Sequence, residues 1–206
     1  MKFKDCVLEI GANDGRDSMR LHREYGLPVL AVEPTPELIH NLWKMYGHSA
    51  NVHVLPFAID IESGIKKFNI SGKTDWGCSS LHELSPNVAQ IFHQMPHLKF
   101  DDFCYVSCIT GQQLCEIFGI ESVEYLWMDT QGNDFNILKS FGDKIKLIKK
   151  GNCEAAYRID LYQANNNYQD IVDYLHSYGF ETIVVPDGLD NGECDIFFER
   201  KKAPVQ

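Results

Sequence analysis

The sequence predicts an α/β fold with a mostly parallel sheet, because segments typical of strands alternate with segments typical of helices. The first strand runs into a glycine-containing turn, IGANDG at 10–15, and ligands of such sheets bind at turns of this kind. The last two strand-like segments flank a turn rich in Gly, Asp and Asn, which predicts a C-terminal antiparallel hairpin. We therefore expect a single Rossmann-like domain over residues 1–206.

The first half of the chain alternates short apolar segments with segments that have apolar residues at helical spacing. Strands are predicted at 5–11, 29–32 and 52–55, and helices at 15–25 and 36–46. Gly26 and Pro28 end the first helix. Thr35 can cap the second helix, with Pro36 in its first position.

The second half resumes this alternation after an irregular segment. Strands are predicted at 104–109, 123–129, 147–155, 182–185 and 195–198, helices at 111–118, 133–141 and 168–178, and a possible hairpin arm at 65–70. Residues 71–100 are rich in Gly, Ser, Pro and His and sustain no period. A loop this long in a compact domain is usually functional or mobile.

The composition is that of an ordinary soluble protein, with 44% hydrophobic and 23% charged residues. No apolar run approaches the roughly 20 residues of a membrane-spanning helix. A net charge of −10, without a Lys/Arg cluster beside aromatic residues, argues against nucleic acid as the main partner. The seven cysteines lack CxxC spacing, so we expect free, mostly buried thiols, no zinc site and a cytoplasmic protein.

A carboxylate lies at or near the carboxyl end of each main predicted strand. These residues are Glu9, Glu33, Asp60, Asp129 and Glu154. The carboxyl ends of parallel strands meet at one edge of a sheet, where ligands bind. Alternatively, these are ordinary solvated surface residues that lie at strand ends by chance, since a chain with a net charge of −10 has many acidic residues.

The turn after the first strand does not have the spacing of a dinucleotide-binding loop. A G-x-G-x-x-G loop starting at Gly11 would have glycines at the positions of Asn13 and Arg16. An acidic residue before the turn, Glu9, would also repel a phosphate. The pattern Glu9-x-Gly11-x-Asn13-x-Gly15 instead resembles the first motif of class I S-adenosylmethionine-dependent methyltransferases. Their ligand has an ammonium, a carboxylate and a sulfonium, but no phosphate.

The strand ends suggest how such a ligand is bound. Glu9 can face its positive charge, while Ser18 and the helix N-terminus can face its carboxylate. Glu33 can accept hydrogen bonds from both ribose hydroxyls, and Asp60 can hold the adenine amino group. The predicted cofactor-binding residues are Glu9, Gly11, Asn13, Gly15, Ser18, Glu33, Pro34, Ala58, Ile59, Asp60 and Ser80.

Several of these residues have a purely structural alternative. Glu33-Pro34 could be a helix entry, and Asp60 could form the turn before a hairpin. Ser80 could be an ordinary loop residue unless the 71–100 segment folds over the site.

Longer segments resemble the FkbM family of methyltransferases. IGANDGRDS is similar to that family's GANxGxxS/T segment, and YLWMDTQGNDFNILKSF is similar to its KIDV(E/Q)GxExxVLxG segment. The second match is in register at Asp129, Gln131, Gly132 and Leu138. VSCITGQQLCEIFGI, GNCEAAYR and WGCSSL also resemble family segments, so the likeness covers about residues 5–160. The departures are Trp127 for Lys or Ile, Asp134 for Glu and Ser140 for Gly.

The resemblance implies S-adenosylmethionine as the cofactor and a hydroxyl group on a sugar or small molecule as the methyl acceptor. Asp129 or Glu154 would take or orient the hydroxyl proton, with His82 as an outside candidate. Alternatively, Asp129 could belong to a helix N-cap, Glu154 could be a surface acid and His82 a solvated side chain. Several acids at one edge could bind Mg²⁺, but no spacing demands a metal.

Two other function classes fit part of the pattern. Glu33 alone would permit an NAD-type oxidoreductase, but the missing glycines and the lack of an evident hydride-transfer pair argue against it. A non-catalytic binding module on the same fold is the other alternative.

Overall fold

The computed structural model describes residues 2–72, 76–86, 97–158, 160–186 and 192–201. Its strands are β1 (Asp5–Ile10), β2 (Val29–Val32), β3 (Val52–Leu55), β4 (Ala58–Ile59), β5 (Gly64–Ile70), β6 (Asp102–Ile109), β7 (Ser122–Met128), β8 (Lys150–Ala156), β9 (Phe180–Pro186) and β10 (Glu193–Arg200). Its α-helices are α1 (Arg16–Tyr25), α2 (Pro36–Tyr46), α3 (Gly111–Phe118), α4 (Asp134–Ser140) and α5 (Tyr168–Ser177).

A seven-stranded sheet has the order β3-β2-β1-β7-β8-β10-β9. Its strands are parallel except β10, which pairs antiparallel with both β8 and β9. The predicted parallel sheet and C-terminal antiparallel hairpin are therefore confirmed. The chain moves outward from β1 to β3 and later returns to β7 on the other side of β1. This reversal makes the carboxyl ends of β1 and β7 the expected place for a ligand.

Helices cover the sheet on both faces. Leu21 of α1 and Leu42 of α2 pack against Val7 and Val29 on one face. The other face packs against α3, α4 and α5 in a larger core that includes Leu8, Leu126, Phe141 and Ile196. Burial of these apolar side chains fixes the register of the strands, because a slip of one residue would turn each side chain to the opposite face.

A second, three-stranded sheet has the order β4-β6-β5 and was not predicted as a separate unit. The possible hairpin arm at 65–70 is confirmed as strand β5, and its antiparallel partner is β6. Phe68, Ile70, Val106 and Cys108 form a small apolar core on one face of this sheet. Because β5 alternates buried and exposed residues only in part, its sequence gave no sign of which strand it joins.

Two described residues of the predicted 71–100 loop pair with other segments. Residues 73–75 and 87–96 lie outside the described residues. Residues 76–85, here called the strap, begin with a 3₁₀ turn at Trp76–Cys78. Ser80 pairs with Asn69 of β5, and Leu84 pairs with Tyr162. The strap thus connects the small sheet to the loop that follows β8.

The cysteines are free thiols, and all are buried except the half-buried Cys104, as the sequence predicted. Among the described residues, no helix is long and apolar enough to cross a membrane.

Candidate active site

A cleft open to solvent lies at the carboxyl ends of β1, β2 and β7. The predicted residues that line it are Gly11, Asn13, Glu33, Pro34, Ala58, Ile59 and Asp129. Further walls come from the small sheet, through Phe68, and from the strap, through Gly77, Ser79 and Leu81. The small sheet and the strap therefore form part of the site.

The turn after β1 needs a glycine because it passes close to the end of β7. Gly11 has a φ of 91°, and a Cβ there would overlap the carbonyl oxygen of Asp129. Asn13 has a φ of 46°, a left-handed conformation that asparagine tolerates better than most residues. Gly15 has a φ of 77° and precedes helix α1. These residues place the N-terminus of α1 beside the cleft.

The Glu33 carboxylate is fixed at the cleft by backbone N–H groups. Its Oε2 accepts from the N–H of Asn13 and its Oε1 from the N–H of Thr35, each at 2.8 Å. Burial raises the pKa of Glu33, the hydrogen bonds from Thr35 and Asn13 lower it, and the charge of Asp129 raises it. A carboxylate offers about four acceptor positions, so Glu33 keeps acceptor capacity beyond its bonds from Asn13 and Thr35.

Thr35 does not cap α2 as predicted. It occupies the N-cap position, but its side chain makes no capping hydrogen bond. Its backbone N–H is directed to Glu33 instead. Thr35 therefore positions the carboxylate rather than the helix.

Glu9 and Ser18 lie beneath the turn rather than in the lining of the cleft. The Ser18 hydroxyl donates to Glu9 Oε2 at 2.5 Å, and both side chains are buried. Burial raises the pKa of Glu9 to about 8, although the Ser18 bond opposes this shift. The structure pairs the two residues with each other, because Glu9 shares the α1-facing side of β1 with Val7. Neither side chain is in the lining of the cleft, and their contact with a ligand stays a prediction.

Asp60 and Ser80 also have partners outside the cleft. Asp60 pairs with Lys66 at 2.5 Å and accepts from the N–H of Ile61 at 2.7 Å, which agrees with the turn-before-hairpin alternative. Ser80 donates to the carbonyl of Gln131 at 2.7 Å and accepts from the N–H of His82 at 3.0 Å. Ser80 therefore fastens the strap to the loop after β7.

The loop after β7 makes a tight turn that directs Asp129 into the cleft. Gln131 and Gly132 have φ angles of 56° and 93°. Gln131 Nε2 donates to Asp129 Oδ1 at 2.6 Å. A Cβ on Gly132 would lie 2.9 Å from the Tyr162 side chain, so glycine is needed here for close packing as well as for φ.

Asp134 holds this loop to the neighbouring strand. It is fully buried, accepts from the backbone N–H and the hydroxyl of Thr130, and accepts from the N–H of Glu154 at 2.7 Å. Burial raises the pKa of Asp134 to about 7. The sequence showed Asp134 only as a departure from the family pattern, and nothing in its spacing revealed the bond to β8.

Of the three predicted catalytic residues, only Asp129 lines the cleft. Burial, and then the neighbouring carboxyls of Glu193, Asp129, Asp134 and Asp195, raise the pKa of Glu154 well above its usual value. His82 is half-buried, and its Nε2 lies 2.9 Å from Asn133 Oδ1. No group of three or more His, Cys, Asp or Glu in the described residues is placed to hold a metal ion.

Residues 9–182 match the sequence model of the methyltransferase FkbM domain. The chain belongs to this family. A curated relative, 2-O-methyltransferase NoeI of Sinorhizobium fredii, is 25% identical over 177 residues, which are 84% of this chain and 71% of NoeI. The family assignment confirms the resemblance and, with it, S-adenosylmethionine as the cofactor. It favours a methyltransferase over the NAD-type and non-catalytic alternatives.

Solved structures show the same fold. An rRNA methylase from Streptococcus thermophilus superposes with a TM-score of 0.51 at 7% identity, over 98% of this chain and 90% of that one. TrmK of M. capricolum, solved with S-adenosylhomocysteine, has a TM-score of 0.51 at 8% identity, over 100% of this chain and 67% of its own. At 7% and 8% identity, this likeness concerns the fold alone.

The cleft of this methyltransferase fits S-adenosylmethionine. A buried carboxylate, Glu33, suits a vicinal diol because its oxygens keep free acceptor positions. Apolar side chains in the same lining, among them Leu38, Ile59 and Phe68, suit an aromatic base. The glycine-containing turn lets backbone N–H groups approach a ligand closely.

Proposed function

We propose that this methyltransferase methylates a hydroxyl group of a sugar or other small molecule, with Asp129 at the reacting centre. The observation that carries the proposal is the position of the Asp129 carboxylate. It lines the cleft at the switch point of the sheet, and Gln131 holds one of its oxygens. The name of the relative NoeI, a 2-O-methyltransferase, supports oxygen as the methylated atom.

The cofactor supplies an electrophilic methyl group. The protein must bind the cofactor and the acceptor, align them, and remove the proton of the acceptor hydroxyl. Glu33 would accept the ribose hydroxyls, and Pro34, Ala58 and Ile59 would contact the nucleoside. Glu9, Gly15 and Ser18 would act indirectly by shaping the turn. Asp60 and Ser80, which are bonded elsewhere, would fix the walls next to Ile59 and Ser79.

Asp129 would accept or orient the proton of the acceptor hydroxyl. Asp129 lines the cleft, and a carboxylate oxygen there can accept a hydrogen bond from a bound hydroxyl. Glu154 is the next candidate, because a raised pKa brings a carboxyl closer to the working range of a general base. His82 would serve only if its bond to Asn133 opened.

The charge around the cleft favours a neutral or cationic acceptor. Asp129, Glu154, Glu193 and Asp195 lie close enough for the other three to raise the pKa of Glu154. The whole chain carries a charge of −10. A polyanion would be repelled by such an edge. We therefore propose a sugar, amino sugar or similar compound rather than RNA, although the fold is shared with an rRNA methylase.

Two measurements test the proposal. Thermal unfolding with S-adenosylhomocysteine or NAD is expected to show stabilisation by the former, roughly 2.7 kcal/mol at 100 times its dissociation constant. Transfer of labelled methyl from S-adenosylmethionine is then measured on neutral glycans, amino sugars and RNA. Label on hydroxyl compounds supports the proposal. Label on RNA alone, or stabilisation by NAD alone, would contradict it.

A further inference from the structure

We infer that Tyr162 is a positioning residue that fixes the orientation of the Asp129 carboxylate through Gln131. The inference rests on the proposed role of Asp129. The Tyr162 hydroxyl donates to Gln131 Oε1 at 2.6 Å, and Gln131 Nε2 donates to Asp129 Oδ1 at 2.6 Å. Tyr162 does not line the cleft, so it acts through its neighbours.

The chemistry of the groups gives this chain of hydrogen bonds one direction. An ionised carboxylate only accepts, so the Gln131 amide must present Nε2 to Asp129. Its Oε1 then faces Tyr162 and needs a donor, which the phenol supplies. Burial raises the pKa of Tyr162, so the hydroxyl keeps its proton and remains a donor. Removing the hydroxyl would take away the donor to Oε1 and so weaken the hold on the Gln131 amide.

The backbone around Gln131 is built to hold this arrangement. Its carbonyl accepts from Ser80, and its positive φ turns the side chain back toward Asp129. The Tyr162 ring packs against Gly132, where any side chain would displace it. Tyr162 itself is 2% exposed. The ring and the amide are therefore held in contact by packing as well as by hydrogen bonds.

Tyr162 also joins this chain to the strap. Its hydroxyl lies 3.2 Å from the carbonyl oxygen of Cys78. Gln163, the next residue, donates its N–H to the carbonyl of Glu83 at 2.7 Å. The same hydroxyl thus contacts both the strap and the amide that holds Asp129. Loss of the strap contact is expected to loosen the orientation of Asp129.

The test compares Tyr162→Phe and Gln131→Asn with the control Tyr174→Phe. Asparagine tolerates a positive φ but is too short to bridge Tyr162 and Asp129. Tyr174 donates its hydroxyl to the carbonyl of Leu138 at 3.4 Å, away from Asp129. Both test variants should lower kcat by about tenfold, since small misplacements of reacting groups cost up to about 10²-fold. The affinity of Tyr162→Phe for S-adenosylhomocysteine and the kcat of the control should stay within about twofold.

The Asp129→Asn background separates positioning from a general structural role. If Tyr162 acts through Asp129, adding Tyr162→Phe to Asp129→Asn should lower turnover by less than about twofold more. An equal tenfold loss in both backgrounds would overturn the inference, as would wild-type kcat in Tyr162→Phe. Full turnover by Asp129→Asn would overturn it as well.

A second readout needs no methyl acceptor. The side-chain amide signals of ¹⁵N-labelled Gln131, assigned by their loss in Gln131→Asn, should shift in both Tyr162→Phe and Asp129→Ala. Signals that are unchanged in both variants would overturn the inference. Absence of methyl transfer by the wild-type protein, with the amide shifts present, would instead count against the proposed function and leave the positioning role supported.

Discussion

The two carboxylates that line the cleft, Glu33 and Asp129, are held by different kinds of bond. On the side after β1 and β2, backbone N–H groups of Asn13 and Thr35 fix the Glu33 carboxylate. On the side after β7 and β8, side chains bond to one another, as in the Tyr162–Gln131–Asp129 chain. The first arrangement uses backbone donors and therefore does not depend on the identity of the donating side chains. The second needs the amide of Gln131 and the hydroxyl of Tyr162 themselves.

This difference suggests that one side of the cleft serves the cofactor and the other serves the acceptor. The β1–β2 side presents a carboxylate held by backbone donors, which suits a cofactor that is common to many enzymes. The β7–β8 side can be changed one side chain at a time without altering the backbone, which suits adaptation to an acceptor. The predictions below test whether the two sides can be damaged separately.

The largest effect is expected for Gly11→Ala, because Gly11 is where the two sides touch. The added Cβ would overlap the carbonyl of Asp129 and would impose a left-handed conformation on alanine. Strain and overpacking together should lower the free energy of unfolding by at least about 3 kcal/mol. Gly26→Ala is the control, since Gly26 has a φ of 66° but open space around it, and should cost about 1 kcal/mol. If urea unfolding shows the same loss of unfolding free energy in both variants, the close contact between Gly11 and Asp129 is refuted.

Asp129→Asn should damage the β7–β8 side alone. The rate of methyl transfer should fall by at least about 10²-fold, because an amide cannot take the proton from the hydroxyl that is methylated. The melting temperature and the affinity for S-adenosylhomocysteine should change little. Turnover close to that of the wild type would remove Asp129 from the reacting centre and move the proposal to Glu154 or His82.

Glu33→Ala should damage the β1–β2 side in two ways. Loss of the ribose hydrogen bonds should weaken S-adenosylhomocysteine binding by about 1.5–3 kcal/mol for each charged bond lost. The N–H groups of Asn13 and Thr35 would also lose their acceptor, at about 1–3 kcal/mol for each group that water cannot reach. Calorimetric titration and unfolding of the apo protein measure the two effects. Unchanged affinity with lowered stability would make Glu33 purely structural.

The prediction for Glu9→Gln concerns the pH dependence of stability. Burial raises the pKa of Glu9 from 4.5 to about 8, so the folded state holds this proton more tightly than the unfolded state. Stability from this group is therefore fully present below about pH 4.5 and is lost as pH rises toward 8. The free energy of unfolding, measured from pH 5 to 8, should fall less steeply in Glu9→Gln than in the wild type. Parallel declines would show that Glu9 does not titrate in this range.

Sequence reasoning recovered the β1–β2 side better than the β7–β8 side for a physical reason. Gly11, Asn13 and Glu33 were found because a tight turn demands particular residues at fixed spacing. Tyr162 and Ser80 were not linked to Gln131 from sequence, because side chains from the strap and from the loop after β8 meet there only in the folded protein. In the sequence, Asp134 stood out only because it replaces the Glu of the FkbM family segment.

The fold shows the same contrast. The parallel sheet and the final hairpin follow from local patterns of apolar residues and turns. The small sheet was missed because β5 and β6 are separated by the irregular segment, so no local pattern pairs them. The inward position of Glu9 and the bond between Asp60 and Lys66 were likewise invisible, because both depend on which face a side chain occupies.

The most direct test of the division between the two sides measures two quantities in Glu33→Ala and Asp129→Asn. These are the dissociation constant of S-adenosylhomocysteine and the rate of methyl transfer to a hydroxyl acceptor at saturating S-adenosylmethionine. We expect the dissociation constant to rise mainly in Glu33→Ala and the saturated rate to fall mainly in Asp129→Asn. A saturated rate that falls equally in both variants, or a dissociation constant that rises equally in both, would contradict the account.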